Sequence, residues 1–438
     1  MTSDKETHGE SGTAPSQDES VSTSSASTPV LVSTAATHIA LADGTETVPN
    51  TEPEDGQGPL ASPSLRNSKG WDGKLRLPKK TAVLANPEAL SDPEYSDEDN
   101  VVPGETISAD EDILDGEDPE TDEIFCTHSR VRSIDALHLE RFTCCQRLCL
   151  RQNSIQRLDS PDATPGQGLA ALAGCLKELD MYDNLIAHMR GVETLPGLTS
   201  LDLSFNKIKH IKHLAGLREL TDLFLVANKI GKIEGLETLT RMRMLELGSN
   251  RIREIRGLDG LVALEELWLA KNKITDLSGL DGLPRLRLLS LQSNRISDLS
   301  PLRVVSTLEE LYLSHNLLES VASLSVDETK TSETDGKASD DKTAATSILP
   351  NLRTLDIGNN KITSLQGIGG LHKLEELWAS YNLLNDFTDV ERNMADKSSL
   401  ETVYFEGNPL QLRAPALYRN KVRLVLPQVK QIDATYVR

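Results

Sequence analysis

The chain has 438 residues, of which 38% are hydrophobic and 4% aromatic, and its 67 acidic against 46 basic side chains give a net charge of −21. The apolar share is thin for a chain folded throughout, and the acidity is concentrated at one end: residues 1–123 hold 27 acidic and 7 basic side chains, while the rest carries −1. A nearly neutral body lacks the basic excess that phosphate-backbone binding requires, and no run of about 18 apolar residues is available to span a membrane.

The opening stretch, MTSDKETHGE, is polar and has no apolar core of a secretory signal, so a soluble intracellular protein is expected. Residues 1–123 are rich in Ser, Thr, Pro, Asp and Glu, a composition that buries too little surface to offset chain entropy and predicts disorder. Within them, residues 91–123 hold 15 carboxylates and no Lys or Arg. Ser91 and Ser96, in SDPEYSDED, are candidate sites for an acid-directed kinase, with a plain solvating tail as the alternative. KLRLPKK at 74–80 reads as a nuclear address or as an ordinary basic linker.

The five cysteines, an odd number, suit a reducing compartment better than a disulfide framework. Cys126, Cys144, Cys145 and Cys149 cluster, but CCxxxC is not a zinc pattern and no histidine pair stands nearby, so they read as reduced thiols.

From about residue 128 a period appears. The phrase L-x-x-L-x-L-x-x-N recurs, with asparagines at 153, 184, 206, 228, 250, 272, 294, 316, 360, 382 and 408, and six successive steps from Asn184 to Asn316 are each 22 residues. A fixed period with this phrase is the leucine-rich-repeat signature. Leu201 and Leu203, two apart, face one side of a short strand. The Asn turns the chain and serves backbone groups where no ladder exists. Ile208, Ile211, Leu214 and Leu217, three apart, suit a tight helical turn. No coil can bury this ridge alone, so the pattern predicts an α/β solenoid. It has a curved parallel sheet on the concave face and short helical or 3-10 turns on the convex face. At about 4.8 Å per coil the body would be roughly 50 Å long.

Two steps are irregular. Asn153 to Asn184 is 31 residues, a coil with a loop expected within Ser160–Gly168. Asn316 to Asn360 is 44, and residues 325–347 lack the leucine phrase, so they are expected to be a disordered loop carried by a single coil. Both ends of a solenoid need caps. Residues 128–139 read as half of an incomplete first coil. After Asn408, Tyr418, Val422, Leu424, Leu426, Val429 and Ile432 are placed to fold back over the last one. The expected division is a tail at 1–123, a solenoid of about eleven coils at 124–410 and a cap at 411–438.

No phosphate-cradling glycine loop, HExxH or GxSxG is present, and the histidines are scattered, so neither an enzyme nor a cofactor is expected. The face of the sheet away from the core is different. Residues six, four and two before each Asn lie there, and they include ten acids but only two bases, Arg147 and Arg151. Six aromatics share it: Tyr182, Phe224, Trp268, Tyr312, Trp378 and Tyr404. Strand aromatics commonly pack on each other across coils. Here the leucines on either side already fill the core, and a row of large rings among carboxylates has the composition of a protein interface. A partner with a partly basic surface fits it best.

The 22-residue coils, the phrases LCLRQN, LELGSNRIR, LYLSHN and LETVYFEGNPLQ, and the ending LPQVKQIDATYVR resemble the leucine-rich-repeat regulatory subunit 7 family of protein phosphatase 1. The resemblance covers about residues 128–438. It implies a non-catalytic subunit whose concave face binds the phosphatase catalytic subunit. The family's contact set falls on Asp202, Phe224, Glu246, Trp268, Asp356, Glu376, Trp378 and Tyr404. Trp268 replaces another aromatic common in the family, and no good copy of the short phosphatase-docking peptide is found. The resemblance further implies a nuclear and cytoplasmic protein that restrains, stores or assembles the phosphatase, with roles in mitosis and a further inhibitor protein in a ternary complex. Another leucine-rich-repeat adaptor, spliceosomal or cytoskeletal, is the alternative.

Overall fold

A computed structural model describes residues 113–159, 166–326 and 346–437, all within the second of the two units into which the chain divides, 97–438. The kinase sites, the basic 74–80 run, most of the 160–168 loop and residues 327–345 of the insert lie outside the described residues.

Each leucine phrase forms one three-residue strand. In chain order the strands are β1 Glu123–Phe125, which precedes the first phrase, then β2 Arg147–Cys149, β3 Glu178–Asp180, β4 Ser200–Asp202 and β5 Asp222–Phe224. Then come β6 Met244–Glu246, β7 Glu266–Trp268, β8 Leu288–Ser290 and β9 Glu310–Tyr312. A two-residue pair follows, β10 Ser325–Val326 and β11 Thr346–Ser347, then β12 Thr354–Asp356, β13 Glu376–Trp378 and β14 Thr402–Tyr404. The chain closes with β15 Gln431–Ile432 and β16 Thr435–Tyr436. Fourteen of these strands build one sheet in chain order, parallel throughout except that β15 and β16 are antiparallel. The register keeps equivalent positions side by side: Leu201 faces Leu223, and Asp202 faces Phe224. The middle residue of every three-residue strand from β1 to β14 is buried, as are Ile208, Ile211, Leu214 and Leu217. Behind the strands the coils close with i→i+3 turns, such as Leu217 N–H to the Leu214 carbonyl at 2.9 Å.

The repeated asparagine joins each coil to the one before it. Asn206 is buried; its Nδ2 donates to the carbonyls of Met181, Leu203 and Ser204 at 3.0, 3.1 and 3.1 Å, and its Oδ1 accepts the Ile186 N–H at 2.9 Å. The same set recurs at Asn228, Asn250, Asn272, Asn294, Asn316, Asn360 and Asn382. Where the chain leaves the strand, the residue before the Asn adopts a left-handed φ, 57° at Phe205 and 56° at Tyr381. Bulky side chains rarely hold that conformation.

The 44-residue step is one coil: β9 pairs directly with β12, and Asn360 Nδ2 donates to the Leu313 carbonyl at 3.0 Å. The insert leaves through the antiparallel β10–β11 ribbon. The 31-residue step likewise pairs β2 with β3.

Both caps differ from the sequence reading. The solenoid begins before residue 124: Leu114 is buried in the core cluster and β1 extends the sheet, so the first coil has a strand of its own. The acidic composition of 113–123 hid a core residue, Leu114, among carboxylates that face solvent. At the other end, helix α1 (Phe387–Met394), capped by Asp386 accepting the Thr388 N–H, is followed by α2 (Pro409–Leu412) and α3 (Pro415–Val425). Tyr418, Val422, Leu426, Val429 and Ile432 are buried as expected, but Leu424 is 81% exposed. It lies two positions past Val422, the wrong side of an α-helix. Asp433 fixes this cap, accepting from Phe405 N–H at 2.9 Å, Glu406 N–H at 3.1 Å and the Tyr418 hydroxyl at 3.0 Å.

Replacing Asn250 with alanine orphans the Ile230 N–H and removes the donor from the Leu225, Leu247 and Gly248 carbonyls. A loss of about 2–4 kcal/mol of unfolding free energy is expected. Urea denaturation of Asn250→Ala measures it, and a loss below about 0.5 kcal/mol would contradict the role given to the ladder.

A candidate partner-binding face

The side chains at the ends of the strands stand on the open face of the sheet, most of them half-buried by their neighbours. Asp202, Phe224, Glu246, Trp268, Glu376, Trp378 and Tyr404 all stand there, at strand ends β4, β5, β6, β7, β13 and β14. Asp356, at the end of β12, is on the same row but only 7% exposed.

Its burial follows from the aromatics around it. In register the row runs Trp268, Ser290, Tyr312, Asp356, Trp378, Tyr404. Trp268 and Tyr312 are separated by a whole coil, yet their rings stack with centroids 6.5 Å apart and an interplanar angle of 15°. Tyr312 and Trp378, on either side of Asp356, are 6.0 Å apart, and Trp378 meets Tyr404 edge-on at 6.0 Å. Two coils span about 9.6 Å, so the rings lean toward each other over the small residues between them. That roofing leaves Ser290 1% exposed and covers Asp356. The rings thus pack across coils, as strand aromatics do, while each keeps part of its surface open.

A local tether sets how the rings lie. Trp268 Nε1 donates to Glu266 Oε2 at 3.2 Å, Trp378 Nε1 to Glu376 Oε2 at 3.1 Å, and the Tyr312 hydroxyl to Glu310 Oε2 at 2.7 Å. The three tripeptides are Glu-Leu-Trp, Glu-Leu-Trp and Glu-Leu-Tyr: carboxylate and ring project to one side because they are two apart on a strand. Sequence reading placed Glu266, Glu310 and Tyr312 on this face but outside the contact set; the spacing was the signal. Tyr404 is held differently, its hydroxyl accepting from Gln431 Nε2 of the cap at 2.8 Å. Beside it Tyr381 lies over Gly407, where any Cβ would meet the ring at 2.4 Å and where φ is +74°. Asp356, Trp378, Tyr381 and Tyr404 line a shallow depression of 380 Å³.

The carboxylates are not uniformly free. At the first coils Arg147 pairs with Glu178 at 2.7 Å and Glu123 at 3.3 Å, and Arg151 Nε lies 3.1 Å from Asp180 and its Nη2 3.8 Å from Asp202. Arg151 also covers the Tyr182 ring at 4.4 Å, which in turn contacts Phe205 at 4.8 Å. From β5 onward Asp222, Glu246, Glu266, Glu310, Asp356, Glu376 and Glu406 have no basic ion-pair partner among the described residues. Burial, reinforced by Asp202, pushes the Glu246 carboxyl above its ordinary range. Burial does the same to Asp356 against the opposing hydrogen bonds from Ser314 and the Gly358 N–H. The face is neutralised at one end and negatively charged with an aromatic ridge at the other.

Among the described residues, no group of three or more His, Cys, Asp or Glu side chains could hold a metal ion, and no helix is long and apolar enough to cross a membrane. All five cysteines are free, and burial raises the thiols of Cys126 and Cys145 to about 11, so both stay protonated near neutral pH.

The family model described as "Leucine rich repeat" matches residues 175–230, and that described as "Leucine Rich repeats (2 copies)" matches 240–282 and 350–392. The fold is a leucine-rich-repeat solenoid. Among solved structures, an internalin from Listeria monocytogenes superposes with a TM-score of 0.50 at 22% identity, over 72% of this chain and 87% of its own. The APL1 leucine-rich repeat domain gives 0.51 at 22% identity over 66% and 69%. Both show the fold alone. In sequence, this leucine-rich-repeat chain is 58% identical over 73 residues to the Schizosaccharomyces pombe protein phosphatase 1 regulatory subunit SDS22, covering 17% of this chain and 22% of that protein. It is 39% identical to the Saccharomyces cerevisiae protein of the same name over 112 residues, 25% and 31% of the two chains. To human protein phosphatase 1 regulatory subunit 7 it is 54% identical over 56 residues, 13% and 15%. The resemblance read from the repeat phrases is thus to curated proteins of that family, and the matches span less than a third of the length of the first two.

The raised Asp356 carboxyl has a consequence for stability. A carboxyl whose pKa is higher folded than unfolded binds protons preferentially in the folded state, so its contribution weakens as pH rises from the unfolded value, about 3.9, through the folded one. Asp356→Asn keeps an acceptor for the Gly358 N–H and removes the buried charge. Denaturation at neutral pH should show the variant equal to or more stable than the parent, with a smaller loss of stability between pH 4 and 7. A variant destabilised at pH 7 would contradict this reading.

Proposed function

We propose that the chain is a non-catalytic regulatory subunit that binds the catalytic subunit of protein phosphatase 1 through the open face of its sheet, the concave side of such a solenoid. The observation that carries the reading is the aromatic ridge of Trp268, Tyr312, Trp378 and Tyr404, part open and bordered by unpaired carboxylates, in a chain whose curated relatives are named as regulatory subunits of that phosphatase. The rings supply large, rigid contact area at small entropic cost, and the acids steer a basic surface toward them. Asp202, Phe224, Glu246, Trp268, Asp356, Glu376, Trp378 and Tyr404 form the proposed contact set. Asp356 contributes chiefly by supporting the rings that cover it. Binding of this kind would restrain, store or help assemble the phosphatase in nucleus and cytoplasm, with a further inhibitor protein in a ternary complex and a role in mitosis.

Calorimetric titration of the purified chain with the phosphatase catalytic subunit tests the proposal. Trp378→Ala and Trp268→Ala should each cost about 2 kcal/mol or more of affinity. Their melting temperatures should fall only modestly, since each loses ring contacts worth about 0.5–1.5 kcal/mol but no core leucine. Glu376→Lys should bind weakly for two reasons, reversed charge and loss of the Trp378 tether; Glu376→Gln keeps the acceptor and separates them. Lys212→Ala, away from the face, should bind as the parent does. A folded Trp378→Ala protein with unchanged affinity would refute the assignment.

A further inference from the structure

Just beyond each ladder asparagine the next side chain points to solvent at the rim of the sheet. In five consecutive coils that side chain is basic: Lys207, Lys229, Arg251, Lys273 and Arg295. Four are exposed and Lys273 is half-buried. None makes an ion pair among the described residues, whereas Arg241, Arg243, Arg256 and Arg287 of the same coils each pair with a glutamate. Because the coils share one register, the five are held in line about 4.8 Å apart, a stripe of roughly 19 Å. Lys209 and Arg253, two residues further on and also exposed, widen it. Leu317 interrupts it at the sixth coil. Mutual repulsion makes such a line unfavourable unless an anion answers it.

The chain contains a matching anion. Residues 97–112 carry seven carboxylates and no Lys or Arg, and they precede Ile113 in sequence, the first described residue. Extended, these sixteen residues reach about 53 Å. The stripe begins at the coil of β4, three strands from β1, or about 14 Å along the sheet. The segment therefore has the reach to cross to the rim and run the length of the stripe. Tethering in the same chain gives it an effective concentration in the millimolar range, enough to outcompete a free acidic peptide. We propose that residues 97–112 dock in cis on the Lys207–Arg295 stripe. The bound segment neutralises the basic rim beside the partner-binding face and so removes a field that would repel a basic partner. The cis contact itself requires no partner.

Zero-length carbodiimide coupling of carboxylates to lysines in the dilute full-length chain, read by mass spectrometry, tests it. Links should join 97–112 to Lys207, Lys229 and Lys273 but not to Lys212, an exposed lysine in the same coil as Lys207 beyond buried Ile211. Raising salt from about 0.02 M to about 0.5 M, which shortens the screening length below the coil spacing, should cut the links about tenfold. Arg251→Glu/Arg295→Glu keeps every lysine and should lower them similarly; circular dichroism and thermal melting check that its fold is retained. Equal coupling to Lys212, links that survive salt and the double variant undiminished, or no links at all would overturn the proposal. So would links found only between isotope-labelled and unlabelled chains, which would assign the stripe to a second copy.

Discussion

A buried amide decides the geometry of this molecule. Strands three residues long cannot satisfy the backbone where the chain turns out of the sheet, and water does not reach that corner. Each ladder asparagine answers the need with one acceptor and two donors, bonding both its own coil and the one before. The bonds are the same from coil to coil, so the coils stack at one spacing and in one register. Everything else on the surface inherits that regularity: equivalent positions become straight rows, and a row takes on whatever chemistry the sequence repeats there.

Two rows of opposite character result. On the sheet, Glu-Leu-Trp and Glu-Leu-Tyr strands place a carboxylate and a ring together, and the hydrogen bond between them fixes the ring before any partner arrives. Rings prepared in this way lose little freedom on binding, the usual reason aromatic anchors are effective. At the rim, the residue after the asparagine is free of core and ladder duties, and there the basic side chains accumulate. An acidic ridge and a basic edge lie side by side on a body whose net charge is close to zero, a distribution the composition averages away.

Most of the fold was legible because a repeat states its rule many times over. The strand positions, the buried leucines and the open-face residues all follow from the alternation around Leu201 and its equivalents. The 44-residue step resolved into one coil for the same reason: the leucine phrase was absent from the insert, so nothing there could continue the core. The misreadings are at the ends, where no second copy corrects the first. Leu114 went unseen inside an acidic run, and Leu424 was placed in the cap although helical spacing from Val422 turns it outward. On the candidate face, period-two alternation put Asp356 among the open carboxylates. Its burial depends on rings one coil away on either side leaning inward, an arrangement set by the sizes of neighbours 44 and 22 residues distant in the chain and invisible to local pattern.

Tyr404 belongs to two structures at once. Its ring closes the aromatic ridge against Trp378, and its hydroxyl is bonded to Gln431, two residues from the aspartate that pins the cap. A ligand resting on that ring would therefore brace the terminal segment against fraying, and loosening of the terminus would be felt as weaker capture far from where the chain ends. Were a partner to occupy the face as proposed, the tyrosine would make that occupancy and closure of the last coil one linked equilibrium.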